Sequence, residues 1–256
     1  SMEMVILGRY LFTDYYHDKN KQCFSLVPQV PKSGSVPEGY WPHNDVGGPT
    51  PDYHPGWVTV NENGWWAEAT MALVEKLNRE LPVDDDRIYA TGFSLGGKAV
   101  WELLKEGRDV FAAGASGAGF AIGRPFSTPS GKLRKRLAQE VERYKHIPVY
   151  IFAGGKDSMR HSAKAVHDVI AEAGGTSRYY EAPNRNHVQS AGSGWKNEEQ
   201  IDWLFAQRRK ARPGPDPYPE GKYPEPQASD AEADSSALVE DDGESSESAP
   251  SQTTDR

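Results

Sequence analysis

The chain has 256 residues, a net charge of −8 and one cysteine, Cys23, which excludes an internal disulfide and any cysteine-based zinc cluster. That length suffices for one sizeable α/β domain with a buried core. The acidity is confined to residues 212–256, where 12 Asp and Glu stand against 3 Lys and Arg, so residues 1–211 are close to neutral and carry no electrostatic footprint for nucleic acid.

In chain order, "CFSLVPQVP" (Cys23 to Pro31) reads as a short buried strand stopped by proline. Residues 32–64 follow as a long irregular stretch, rich in Gly and Pro, whose aromatics Tyr40, Trp41, Tyr53 and Trp57 favour an ordered wall. "WWAEATMALVEKLNREL" is helical, with Trp66, Ala69, Leu73, Leu77 and Leu81 recurring at three- and four-residue spacing, and Pro82 stops it. "RIYATG" is a strand, "SLGGKAVWELLKEG" a helix ended by Gly107, and "FAAGASGAG" a strand of small residues. A helical insert spans about 129–144; its basic run "KLRKRLAQEVERYK" has helical spacing and interspersed acids, the pattern of a solvated face. "PVYIFAGGKD" is a buried strand, and "HSAKAVHDVIAEAGG" a helix with Val166, Val169, Ile170 and Ala173 on one face and Gly174 at its C-cap. "SRYYEAP" is the last strand and "NEEQIDWLFAQRR" the closing helix. Strands alternate with helices throughout, which predicts a mostly parallel sheet with helices on both faces. The domain is expected to occupy 1–211. The tail 212–256 has too few apolar residues to offset its ordering entropy and reads as disordered. No apolar run reaches membrane-spanning length and no signal peptide is visible.

Gly92-Phe93-Ser94-Leu95-Gly96 matches G-x-S-x-G in the context that gives the motif meaning, between a strand and an amphipathic helix. A serine on so sharp a turn has a strained backbone and needs tiny neighbours. Its Oγ then stands above the sheet, and the N–H of Leu95, at the helix start, can donate to an oxyanion. The bland alternative is a structural turn. A serine needs a base, and the base an orienting acid. Downstream of Ser94 lie His146, His161, His167 and His187. His146 precedes a strand, at the wrong end of the sheet, and His161 and His167 fall on a helix as surface residues. His187 falls in "APNRNHVQS", a loop after the final strand, where the base belongs. Asp157 follows "YIFAGGK" at the carboxyl end of a strand, whereas Asp168 is mid-helix and Asp109 precedes a strand. The expected triad is therefore Ser94, Asp157 and His187.

The segments "DDDRIYATGFSLGGKAVWELL", "IPVYIFAGGKDSMRHSAKAV" and "YYEAPNRNHVQSAGSGW" resemble the α/β-hydrolase esterases grouped around polyhydroxybutyrate depolymerases, feruloyl esterases and phospholipase/carboxylesterases, over roughly residues 23–209. The resemblance implies an α/β-hydrolase fold and acyl transfer to water through an acyl-enzyme, with no cofactor and no metal. Ser94, Asp157 and His187 stand at the matching positions. The chain departs from the pattern at its start. Those esterases begin with two or three further strands and an H-G-x-G loop that supplies half of the oxyanion hole, and no His-Gly pair occurs here. The expectation is an N-terminally shortened relative, with an exposed sheet edge open to a partner or to self-association, and with Gly47-Gly48 as one candidate second donor.

The leading reading is a serine carboxylesterase acting on a small-molecule or polymeric ester, with Trp65 and Trp66 bordering the acyl group or lying in the core of their helix. A serine peptidase of the prolyl-oligopeptidase type shares the triad order. A binding or scaffold protein that kept the fold without the chemistry is the rival from another class. One cysteine suits the cytoplasm, whereas such esterases are often exported, and both locations stay open.

Overall fold

The computed structural model describes residues 23–28, 65–122, 128–129, 131–211, 214–215 and 217. Helix α1 (Trp65–Glu80) precedes a sheet of four strands: β1 (Tyr89–Phe93), β2 (Ala113–Gly117), β3 (Val149–Gly154) and β4 (Ser177–Ala182). All are parallel and neighbours in chain order, with Tyr89 opposite Ala113, Gly114 opposite Val149, and Val149 opposite Ser177. A parallel neighbour requires a crossover, and here each crossover is a helix: α2 (Leu95–Glu106), α3 (Gly131–Tyr144) and α4 (Met159–Glu172). Because the sheet grows to one side only, crossovers of one hand lay all three helices on one face. Two further helices, α5 (His187–Trp195) and α6 (Glu198–Phe205), return over the other face.

The period-2 alternation of β3 shows how the layers meet. Val149, Ile151 and Ala153 pack with Val100, Trp101 and Leu104 of α2, Leu137 and Val141 of α3, and Val166 and Ile170 of α4. Tyr150 and Phe152 face the other way, against Trp195, Ile201 and Leu204. Strand β2 is built wholly of Ala, Gly and Ser and buried along its length, so α2 lies close to the sheet. Helix α4 has its C-cap at Ala173, one residue before the expected Gly174. Gly174, at φ +74°, follows Ala173, and Gly175 N–H donates to Ile170 O at 2.8 Å while Gly174 N–H donates to Ala171 O at 3.0 Å, the paired bonds of a Schellman end.

Two further expectations are corrected. Residues 23–28 of the expected first strand form no strand and are exposed, with Phe24 62% accessible. A strand exists only through pairing, and Pro28 and Pro31 remove two ladder donors from this short run. In α1 the buried face is also displaced. Ala67 and Met71 are buried and Val74 packs beside them, whereas Ala69 and Leu73 face outward, Leu73 39% exposed. Apolar residues lie on two stripes of this helix, and contact with α2 selects the one carrying Met71, which approaches Gly107 and Phe111. Of the tail, 212–256, all but Gly214, Pro215 and Pro217 lies outside the described residues. Among the described residues, no helix is long and apolar enough to cross a membrane.

Between α2 and α3 the nearly buried carboxylates Glu102 and Glu140 share one cation. Lys105 Nζ lies 2.7 Å from Glu102 and 3.2 Å from Glu140, and Lys98 Nζ lies 3.3 Å from Glu102. Burial pushes the Glu102 carboxyl up, but Lys105 and then Lys98 outweigh burial and hold it below the ordinary value. A carboxyl held down in the fold stabilises it above the unfolded pKa, and that stability is lost as pH falls through the folded pKa. Lys105→Met should therefore lower stability by roughly 2 kcal/mol, short of the full cost of an unpaired buried charge because Lys98 remains. Acid unfolding, followed by circular dichroism, should also move to higher pH than in the wild type.

Candidate active site

Parallel strands bring their carboxyl ends to one edge of the sheet, and three of the connections leaving that edge carry the expected residues. Ser94 occupies the single residue between β1 and α2, at φ 56° and ψ −116°, a backbone conformation strained for any side chain. Two backbone bonds hold it there: Ser94 N–H donates to Gly117 O of β2 at 2.7 Å, and Lys98 N–H donates to Ser94 O at 3.0 Å. The two glycines of the motif are not equivalent. A Cβ on Gly92 would lie 2.2 Å from Gly96 O, whereas a Cβ on Gly96 would meet nothing within 4 Å. The second tight position is Gly97, whose Cβ would lie 2.6 Å from Gly117 O and 2.9 Å from Gly119 Cα. Ser116 Oγ–H, buried, donates to Gly97 O at 3.0 Å and ties the first turn of α2 to β2. Leu95 is the first residue of α2, so its N–H has no acceptor within the helix and lies one residue from Ser94 Oγ.

Asp157 follows β3 and is 3% exposed. Its Oδ1 accepts Met159 N–H at 2.9 Å, at the start of α4, where the helix dipole favours a carboxylate. Its Oδ2 lies 2.8 Å from His187 Nδ1. His187 Nε2 in turn lies 2.9 Å from Ser94 Oγ. A carboxylate can only accept, so Nδ1 carries the proton, and the Nε2 lone pair then faces the serine hydroxyl. The Phe93 ring packs against the imidazole, centroids 4.9 Å apart, and limits its rotation. The structure thus brings Ser94, Asp157 and His187 into one hydrogen-bonded line.

Two local expectations are corrected, on His187 and on His167: His187 is not on a loop but is the first residue of α5. Asn186 Oδ1 accepts Gln189 N–H at 3.0 Å, and Gln189 Oε1 accepts Asn186 N–H at 3.2 Å, a complete capping box. The Asn-x-x-Gln signature of 186–189 was available in the sequence as the signal for this helix. The other histidines sit elsewhere. His146 Nε2 lies 2.8 Å from Arg108 O, and His161 is exposed on α4. His167 is half-buried rather than a surface residue, its Nδ1 2.8 Å from Ser177 Oγ and its ring stacked on Tyr179, because β4 closes over that face of α4. The side chains of Trp65 and Trp66 and the whole of Gly47-Gly48 lie outside the described residues. No cluster of His, Cys, Asp and Glu suited to a metal ion occurs among the described residues.

The parallel sheet with helices on both faces, and a serine at the sharp turn leaving β1, have the architecture of an α/β-hydrolase fold. No protein-family model matches the chain, and no curated protein does. The chain is similar to solved structures of hydrolases. A thermostable esterase is 28% identical over 55% of this chain and 36% of that one, with a TM-score of 0.46. A putative dienelactone hydrolase from Klebsiella pneumoniae subsp. pneumoniae MGH 78578 is 19% identical over 54% and 60%, with a TM-score of 0.41. The acylaminoacyl peptidase of Pyrococcus horikoshii is 15% identical over 59% and 29%, with a TM-score of 0.45. The chain therefore spans less than two thirds of each of these proteins.

The unequal glycines yield a stability test. Gly97→Ala forces Cβ against backbone on β2 and on the loop after it, neither of which can yield, and should lower stability by roughly 1–3 kcal/mol. Gly96→Ala, with open space around its Cβ and a helical backbone to gain from, should leave the melting temperature unchanged or raise it.

Proposed function

We propose that this chain is a serine hydrolase that cleaves carboxylic esters through an acyl-enzyme. The observation that supports it is the unbroken line from Ser94 Oγ to His187 Nε2 and from His187 Nδ1 to Asp157 Oδ2, at 2.9 and 2.8 Å. As Ser94 Oγ attacks the ester carbonyl, His187 Nε2 takes its proton, and Asp157 keeps the imidazole in the tautomer that can do so. The developing oxyanion faces Leu95 N–H at the positive end of α2. Collapse of the tetrahedral intermediate breaks the ester C–O bond, and His187 returns the proton to the leaving alcohol. Water then attacks the acyl-Ser94 carbonyl with His187 again as base, releasing the acid and restoring the serine. Trp65 and Trp66, at the start of α1, are proposed to border the acyl group.

The buried Asp157 is assigned orientation rather than proton transfer, since its two oxygens already accept from Met159 N–H and His187 Nδ1–H. A fluorophosphonate probe should label the wild type and leave Ser94→Ala unlabelled. A folded wild type that takes no label would sink the proposal and favour a non-catalytic binding protein. Asp157→Asn should keep the fold and lower kcat on the order of 10³–10⁴-fold, because an amide facing Nδ1 favours the wrong tautomer. Comparing matched ester and anilide substrates separates esterase from peptidase.

A further inference from the structure

Asp157 and His187 lie on different connections, and those connections are joined by more than the side-chain pair. Gly155 N–H donates to Ala182 O and Lys156 N–H to Arg185 O, both at 2.9 Å. The chain leaving β3 and the chain leaving β4 are thereby stapled together just before they deliver the acid and the base. The closest approach is at Gly154, the last residue of β3: a Cβ there would lie 2.2 Å from Arg185 O and 2.9 Å from Asn186 O. Both neighbours are backbone, so neither can swing aside. On the other side of His187, the Asn186–Gln189 capping box fixes the turn of helix to which the imidazole is attached.

We propose that Gly154 and Asn186 are positioning residues for His187. Gly154 lets the 183–186 turn come down onto the end of β3, and Asn186 holds the first turn of α5, so that Nδ1 reaches Asp157 while Nε2 reaches Ser94. The proposal rests on the reading of these three residues as a hydrolytic triad. It assigns Asn186 a purpose beyond helix stability. An exposed cap at any other helix would leave turnover untouched, whereas this one precedes the base by a single residue. A sub-ångström displacement is enough to matter, because the imidazole must hold two bonds at once and misplacement by 1 Å can lower turnover about 100-fold.

The test uses the full chain. The kcat and KM for a p-nitrophenyl ester are measured for the wild type, Gly154→Ala, Asn186→Ala and Asn186→Ser. Thermal melts and the low-field proton resonance of the imidazole Nδ1–H bonded to Asp157 are recorded alongside. Gly154→Ala should lower kcat about 100-fold with KM little changed, and the low-field resonance should shift or vanish. Asn186→Ala should lower kcat by a smaller factor, on the order of tenfold, and Asn186→Ser should restore it, since serine caps a helix about as well as asparagine. A folded Gly154→Ala variant with wild-type kcat and resonance overturns the proposal. If Gly154→Ala does not fold, the Asn186 pair decides: equal kcat and an equal resonance in the wild type, Asn186→Ala and Asn186→Ser overturn it. A wild type that hydrolyses no ester contradicts the hydrolase reading instead. The resonance then judges the positioning role alone, unchanged lines across the variants overturning it.

Discussion

The site depends on how closely the first turn of α2 can approach β2. A serine at φ 56° is unfavourable by about 1–3 kcal/mol, and it persists because the surrounding backbone leaves it no alternative. Ser94 N–H is bonded to Gly117 O, Ser116 Oγ to Gly97 O, and Gly97 touches Gly119 with no side chain between them. A strand of five small residues, which would be a poor strand by intrinsic preference, is what allows this contact. Its burial on both faces, between α2 and the aromatic layer of Phe93 and Phe152, replaces the packing that larger side chains would have given.

Topology does the rest of the assembly. Parallel strands in sequential order put every strand-to-helix connection at one edge, so His187 meets residues 93 and 30 positions before it in the chain within hydrogen-bond distance. Each of the three side chains proposed as the triad stands at or beside the start of a helix: Ser94 before α2, Asp157 before α4, His187 at the head of α5. At the amino end of α4 the Met159 N–H donates to Asp157 Oδ1, and at the amino end of α2 the Leu95 N–H, with no acceptor in the helix, is the donor proposed for the oxyanion. The face with Tyr150, Phe152 and Trp195 and the face with Val100, Leu137 and Val166 together hold the sheet edge rigid beneath these groups.

Much of this was legible in the residues. The alternation of strand and helix, the position of Ser94 between them, and the placement of Asp157 and His187 after later strands all follow from local pattern and connection order. What was not legible depends on tertiary choice. In α1 two apolar stripes satisfy the same helical period, and only the contact with α2 decides that Met71 rather than Leu73 is inside. For residues 23–28 an apolar run ended by proline has the composition of a strand, but a strand needs a partner edge. Helix α5 has a weak sequence signal because "NHVQSAGSGW" is rich in Gly and Ser, and its start is marked only by the Asn186–Gln189 box. Small residues also let it lie flat on Phe152, which a Cβ at Gly194 would strike at 2.1 Å.

The central claim is that Ser94 carries the acyl group between two displacement steps. The most direct measurement is to mix the protein with an activated ester, quench within the first turnover, and locate any added mass by peptide mapping. The account predicts one acyl group per chain on the peptide containing Ser94, absent when His187 is replaced. Steady hydrolysis with no covalent adduct, or an adduct on another residue, would contradict it.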